Sequence, residues 1–424
     1  MSLNSPDVTH PASAETSATL LYALGLSLSL LAFLYLRSFA AWRARSRGLS
    51  TPPGPPPLPF FGNALDMPKT RQWEGFRDLC AKYGNILCMH VFTQPVVVLG
   101  SADVISEYLD KRSANTSDRK QTASLQLIGY DTAFGLMSYG LEWKLRRRMF
   151  WQHFNPTVIT NYHTIQRETA RTLLRTLLTQ SYDAEKHLTE CAATTLLRVL
   201  YGLEKQHEID EAIAAIQGGL EGARNVLVSG ASSWISFLFY DTCHHSYRSR
   251  DGTAGRCDDA PPSVVGDVIA NLLQDGQDTE HVANVEFIAK RIAVDSMQDI
   301  QKKAQVELDA VVGPDRLPDF SDRESLVYID AIIKEALRWM PPAPFGITHC
   351  TRDDDELRGY FIPAGTVLIA NIWACLHDPE AYENPEEFRP ERYLHNGKPD
   401  PSARDPNDFV FGFGRRCVCV PVHI

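Results

Sequence analysis

The sequence predicts a mainly helical α+β protein: one large domain with small β-sheets, preceded by a single N-terminal transmembrane helix. Three observations carry that expectation. An uncharged apolar run, ATLLYALGLSLSLLAFLYL, extends from Ala18 to Leu36. Strand-like stretches are short and stand before and after a long middle of helical period. And SDRESLVYIDAIIKEALRWM, Ser321 to Met340, keeps an amphipathic helical pattern until Pro341-Pro342 ends it.

The elements follow in order. At ~1.5 Å rise per residue, about 19 residues just cross a ~30 Å hydrocarbon core. Arg37, Arg43, Arg45 and Arg47 follow the run, whereas only Asp7, His10 and Glu15 precede it. The positive-inside rule then puts residues 1–17 in the lumen, 18–36 in the membrane and the rest in the cytoplasm. A cleaved signal would carry its basic residues before the run and a small-residue cleavage site after it. Residues 37–63 read as a basic, proline-rich hinge, since TPPGPPPLPFFGN holds six prolines. Residues 64–424 form the body. Within it, NILCMHVFTQPVVVLGS reads as two strands turning near Thr93 to Pro95. From Leu136 to about Leu273 the pattern is helical, broken at Asn155-Pro156, near Gly202 and across the loop RSRDGTAGRCDDAPPS. Ser321 or Asp322 is the expected cap of the Ser321–Met340 helix. RGYFIPAGTVLIANIWACLHD reads as a hairpin around Pro363-Ala364-Gly365, and NPEEFRPERYL as a polar meander.

A net charge of -10 over 424 residues argues against a nucleic-acid binder. The nine cysteines are scattered, odd in number and without paired C-x-x-C units, so they read as reduced thiols.

Several constellations carry chemistry. Glu335 and Arg338 share a helix face at i, i+3, and Arg392 in FRPERY offers a second guanidinium to the same carboxylate. Trp143 and Arg147 share a face at i, i+4; their N–H groups suit carboxylate acceptors. Near the end, Phe411, Gly414 and Arg416 form a glycine-rich loop followed by Cys417 and Cys419. A glycine there lets backbone approach a flat ring, an arginine neutralises a carboxylate, and loop N–H groups stabilise a sulfur anion.

Taken together, in this order along nearly the whole chain, these motifs resemble the cytochrome P-450 family, the heme-thiolate monooxygenases. The resemblance is to the membrane-anchored microsomal type seen in fungi. It implies a cytochrome P-450-like helical domain and heme b (iron protoporphyrin IX) as cofactor. Trp143, Arg147 and Arg416 would donate to the heme propionates, with His349 as a further contact. Phe411 and Gly414 would belong to the heme-binding loop. Glu335, Arg338 and Arg392 would form the structural triad, and Ala343, Pro344, Phe345 and Ile347 would line the substrate pocket. The implied activity is monooxygenation of a hydrophobic small molecule with dioxygen and electrons from a membrane-bound, flavin-containing reductase. The implied location is the endoplasmic reticulum membrane.

Two departures strike the chemistry. The family loop reads F-x-x-G-x-R-x-C-x-G; counted from Phe411, the ligand position is Val418, flanked by Cys417 and Cys419. Val418-Cys419 can be encoded by GTATGT, a common fungal intron start, so VCVPVHI is expected to be translated intron. Upstream, no apolar helix carrying the family's A/G-G-x-D/E-T pattern is found. Asp278 and Thr279 in DGQDTEH have the right order but polar flanks. The expected reading is a deletion between EFIAKRIAV and DSMQDIQKKAQVELDAVVG. Three functional readings stay open: an enzyme that uses Cys417 through a one-residue slip, an inactive family member, and a membrane-tethered heme or lipid binder without turnover.

Overall fold

The computed structural model describes residues 12–179, 184–228 and 298–417. The chain divides into two units, Met1–Pro52 with Asp354–Pro363, and Pro53–Asp353 with Ala364–Ile424.

The first unit is built on α1 (Ala12–Ser46). This helix outruns the apolar segment and continues through the arginines, because Phe39, Ala40, Ala41 and Trp42 sustain helical propensity. It ends where Arg47 and Gly48 take the left-handed conformation, φ 50° and 80°. Its Leu24–Ser46 portion, mean hydropathy 1.6 and unburied, is long and apolar enough to cross a membrane by length and composition. A short antiparallel hairpin, Asp355–Leu357 with Tyr360–Ile362, joins the end of α1. Arg45 donates to both Asp354 carboxylate oxygens at 2.9 and 2.5 Å. The Trp42 ring meets Phe361 edge-on, centroids 5.2 Å apart, and Phe361 N–H donates to the Ser50 carbonyl at 2.8 Å.

That hairpin replaces the one expected around Pro363-Ala364-Gly365. Its tight turn is Arg358-Gly359, with successive φ of 51° and 84°, the geometry a two-residue hairpin loop requires. The strand after Gly365 pairs elsewhere, in the second unit.

There, α2 (Gln72–Tyr83) precedes β1 (Ile86–Val91) and β2 (Gln94–Leu99), an antiparallel pair turning where the sequence put the turn. After several short helical turns come the longer helices α3 (Leu141–Phe154), α4 (His163–Thr179), α5 (Ala184–Tyr201) and α6 (Gln206–Val228). Two of the expected breaks fall after Phe154 and at Gly202, whose φ is 64°; the loop RSRDGTAGRCDDAPPS lies outside the described residues. Packing of α4 on α5 is marked by a Thr169–Thr195 hydroxyl hydrogen bond of 2.8 Å. α5 meets α6 through Leu197 and Ile209.

Then come α7 (Gln298–Val311) and α8 (Val327–Trp339). The expected start of α8 at Ser321 is not observed. Phe320–Ser325 forms a 3₁₀ turn instead, capped by Asp319, with Asp322 reciprocating to the Asp319 N–H at 2.8 Å. α8 begins later because Glu307, on α7, accepts from the N–H groups of Tyr328 (2.7 Å) and Ile329 (3.0 Å). A carboxylate from another helix thus satisfies the orphan donors and the positive end of the dipole.

β3 (His349–Cys350) and β4 (Val367–Ala370) complete a four-stranded sheet in the order β1-β2-β4-β3. β4 runs parallel to β2, from Val96↔Val367 to Leu99↔Ala370, and antiparallel to β3. Its VLIA segment covers the apolar edge of Gln94–Leu99, a long-range pairing that no local turn signal announces. Phe76 and Cys80 of α2 pack on Leu87, Met89 and Val98 of the sheet, with Phe345 at the margin. α9 (Ile372–Leu376) follows β4 directly and is buried throughout.

Candidate functional site

The buried face of α8 carries charge. Tyr328, Ala331, Glu335 and Arg338 point inward, and both Glu335 and Arg338 have side chains of 0% exposure. Arg338 binds the Glu335 carboxylate in a fork, Nε to Oε2 at 2.8 Å and Nη2 to Oε1 at 3.0 Å. Its Nη1 donates to the Leu376 carbonyl at 2.9 Å. Arg392 approaches Glu335 from the other side, with Nε 3.0 Å from Oε2. It also donates to the carbonyls of Glu383 (2.9 Å) and Glu387 (3.1 Å), and the Arg389 N–H reaches Glu335 at 2.8 Å. The structure therefore brings together the three residues that the sequence grouped, and it ties α8 to the irregular 383–392 segment. His377 lies beside this network, stacked on Trp373 at 4.0 Å. Burial, then the Arg338 charge, push its imidazole down to about 3.

A second set of buried charges has a different character. Arg416 donates from Nε to Ser117 O (2.8 Å), from Nη2 to Met137 O (2.7 Å) and from Nη1 to Gly135 O (3.4 Å). Its guanidinium lies 4.8 Å from the Trp143 ring, which stacks on Phe134. Arg119 donates from Nε to the same Gly135 carbonyl at 3.0 Å and from Nη1 to the carbonyls of Ile347 and Thr348 at 2.6 Å. His349 Nδ1 meets the Thr116 carbonyl at 2.8 Å. Arg147 donates to the carbonyl of Cys417. The candidate residues Trp143, Arg147, His349 and Arg416 thus converge through the backbone of 116–119, 135–137 and 347–349.

Neither the Arg119 nor the Arg416 guanidinium is hydrogen-bonded to a carboxylate among the described residues. Burial and the Arg416 charge lower Arg119 well below its usual range, and burial brings Arg416 down to about 10. Burial, with Arg119 next, holds His349 neutral. The Ser117 hydroxyl, beside them, is buried without a partner. Two buried cations, offset in part by the Asp118 charge, stand beside a Ser117 hydroxyl without a partner among the described residues, and this donor set suits the carboxylate edge of a heme. Arg119 was missed by the sequence reading. In TSDRK nothing local distinguishes it; its burial is created by the long-range approach of Ile347 and Thr348.

The terminal loop shows why its glycines are there. Gly414 has φ 56°, and a Cβ on it would stand 2.3 Å from the Leu109 carbonyl oxygen. Its N–H donates to Asp110 at 2.7 Å. The close approach it permits is thus to Leu109 and Asp110, whereas the sequence assigned it to a ring. Phe411 follows the short helix Asn407–Val410, and Phe413 is buried. Cys417 ends the 3₁₀ turn Gly414–Arg416, is half-buried and is in no disulfide among the described residues. Cys419, Asp278 and Thr279 lie outside the described residues. Of the expected pocket segment, Phe345 stacks edge-on against Phe76 at 5.6 Å and serves the sheet core. Ala343 and Pro344 spend their carbonyls on Gly346 and Trp373 N–H groups, while Ile347 borders Arg119.

The chain matches the sequence profile of the cytochrome P-450 family over residues 52–246 and 295–420. It belongs to that family. Among its relatives are two cytochrome P-450 monooxygenases of Coprinopsis cinerea, COX2 and COX1. Each is 32% identical; the alignments cover 89% and 93% of this chain, and 80% and 85% of the relatives. The monooxygenase ple1 of Rhodocybe pseudopiperita is 33% identical over 86% of this chain and 78% of its own length. The profile match resumes at residue 295, where DSMQDIQ begins. Proteins of this family use heme b, and membership carries heme-dependent monooxygenation of a small molecule with a redox-partner reductase.

Two outcomes test the charge network. Arg338→Ala leaves the Glu335 charge buried with half its partners, at a cost of roughly 3–5 kcal/mol. The exposed pair Arg45–Asp354 is worth under about 1 kcal/mol. Thermal melts should therefore separate Arg338→Ala from Arg45→Ala by many degrees; similar midpoints would refute the network. The second outcome concerns pH. Because His377 is depressed from 6.5 to about 3, its neutral form stabilises the fold above pH 6.5, and that stability is lost as pH falls toward 3. The loss amounts to roughly 5 kcal/mol at ~1.36 kcal/mol per pH unit. His377→Gln should flatten the stability profile between pH 6.5 and 3; an unchanged acid limb would show that the imidazole is not the titrating group.

Proposed function

We propose that this chain is a membrane-tethered heme monooxygenase of hydrophobic small molecules. The observation that carries the reading is the pair of buried guanidiniums, Arg119 and Arg416, which among the described residues hydrogen-bond backbone carbonyls and no carboxylate, beside Trp143, His349 and the Cys417 loop. In this reading Arg119, Arg147 and Arg416 hold the cofactor's carboxylates, Trp143 walls its edge, and Cys417 is the thiol that meets the metal. Bound heme supplies the centre at which dioxygen is activated with reductase electrons. The chain's own residues neutralise, orient and enclose it. Neutral His349 adds a donor or acceptor without a third positive charge, which matters in a space already holding two.

The same reading places residues 1–17 in the lumen, 18–36 across the endoplasmic reticulum membrane, and 37–63 as the link to a cytoplasmic body from 64 onward. The apolar stretch of α1 and the arginines after it support this orientation. The redox partner is then a membrane-bound flavin-containing reductase. Lys144 and Arg148 of α3 and Arg415 of the terminal loop are exposed cations suited to an acidic docking face.

A second reading is favoured by Val418, which occupies the position the family's loop gives to cysteine, and by the interrupted profile match over 247–294. There the chain holds heme, or a lipid, without turnover.

The reduced, carbon monoxide-treated full-length chain, loaded with heme, separates these readings. A strongly red-shifted Soret band, lost in Cys417→Ser with heme retained, is the expected result. A histidine-type band indicates the second reading, and failure to take up heme refutes the monooxygenase and leaves the second reading only in its lipid form. Docking has its own measure. Lys144→Glu with Arg148→Glu should weaken reductase binding by on the order of tenfold or more at low salt, with the heme spectrum unchanged. Equal affinity would exclude α3 from the interface.

A further inference from the structure

The terminal loop is pinned at Gly414 by a side chain that no motif marks. After the α-helical turn Ala102–Ile105 the chain widens into a π-helical turn, Ser106–Asp110, closed by the Lys111 N–H on the Ser106 carbonyl at 3.1 Å. One extra residue in the turn rotates every later side chain by about 100° around the axis. Tyr108 and Leu109 are buried, and the exposed Asp110 accepts the Gly414 N–H at 2.7 Å through Oδ1. The Leu109 carbonyl oxygen and the Ser113 Cβ crowd the same glycine: a Cβ on it would stand 2.3 and 2.6 Å from them. Because φ at Gly414 is also 56°, a slip of the loop by one residue, which would bring Phe413 or Arg415 to this place, is blocked by sterics and by backbone conformation alike. From the pinned glycine a single 3₁₀ turn leads to Arg416, whose Nε reaches the Ser117 carbonyl at 2.8 Å. Residues 109–117 thus grip the loop twice, at Gly414 from Asp110 and Leu109 and at Arg416 from Ser117.

We propose that Asp110 is a positioning residue: through the Gly414 N–H, its carboxylate sets the register that delivers the Arg416 guanidinium to its buried place beside Arg119, where both donate to the Gly135 carbonyl. The proposal deepens the reading of Arg416 as a holder of the cofactor's carboxylates and rests on it. Steric exclusion decides which residue can occupy the pinned position, and the hydrogen bond supplies the attraction that keeps it there. Its influence runs through the backbone, since Arg416 stands two positions after Gly414. The use of a charged acceptor supports the assignment. Asp408, on the short helix Asn407–Val410 that leads into the loop, has its carboxyl pushed up by burial, then by Asp405, with Asp110 adding to the effect. A neutral side chain would accept the same N–H without that repulsion, but a carboxylate forms a hydrogen bond roughly twice as strong.

The test compares the full-length chain with its Asp110→Ala and Asp110→Asn variants. Hydrogen exchange followed by mass spectrometry reads the pin without cofactor. In the heme-free chain, Asp110→Ala should speed exchange of the peptide holding Gly414 by about tenfold or more. Asp110→Asn, whose weaker acceptor keeps the pin in part, should fall between, and it carries the test alone if the alanine variant does not fold. Equal rates in all three chains overturn the pin. Titration with heme and with heme dimethyl ester, followed by the Soret band, reads the consequence. Asp110→Ala should weaken heme binding by about tenfold, with Asp110→Asn again intermediate. The ester lacks carboxylates, so it should bind native and variant chains equally. Unchanged heme affinity overturns the positioning role, and so does a loss that is equal for the ester, which marks general damage to the fold. If the native chain takes up no heme while the variants still exchange faster, the cofactor reading fails and the pin stands.

Discussion

The carboxylate of Glu335 is shared by two guanidiniums and one backbone N–H in a fully buried space, and that arrangement ties α8 to the irregular segment 383–392. A charge buried this deeply is tolerable only when nearly every lone pair is engaged. Glu335 meets the condition by drawing in Arg338 from its own helix and Arg392 from a segment that has no regular structure. The geometry then propagates along the chain. Beyond α8, the backbone runs to Ile347, Thr348 and His349, which meet Arg119 and Thr116. Beyond Arg392, it runs to the loop that ends in Arg416 and Cys417. Both halves of the candidate heme site are thus positioned by segments leaving one ion-pair network.

The two buried charge systems differ in what they lack. Around Glu335, opposite charges are matched inside the protein, so the network is complete as it stands. Around Arg119 and Arg416, backbone carbonyls and the Asp118 charge only partly offset two guanidiniums that repel each other. Such a region suits an anion. In a family that uses heme b, the cofactor's carboxylates answer that description, which explains why so much positive charge is withdrawn from water there. The neutral state of His349 follows from the same field.

Local chemistry made much of this legible from the amino acids. The two strands at 86–99 were readable because a short polar turn separates two apolar runs, and the helix breaks because Pro156 and Gly202 punctuate helical periods. The triad was legible through a helical spacing that fixes which side chains share a face. Elements whose partners are distant were misread. The hairpin assigned to residues 358–378 failed because Val367–Ala370 pairs with a strand some 270 residues earlier, and because Arg358-Gly359 adopts a turn more often announced by Asn-Gly. The start of α8 was misplaced because its cap, Glu307, belongs to another helix.

Residue order by itself determined the family, the apolar N-terminal helix and the grouping of Glu335, Arg338 and Arg392, since these rest on spacing and composition within short windows. Tertiary structure alone decided that Arg119 is a buried cation, that Phe345 serves the sheet core, and that Gly414 makes room for the Leu109 carbonyl. It also decided that the Asp110 carboxylate meets the Gly414 N–H. The physical reason is the same in each case. Burial, desolvation and steric clearance are properties of the space around a residue, and that space is assembled from segments hundreds of positions apart.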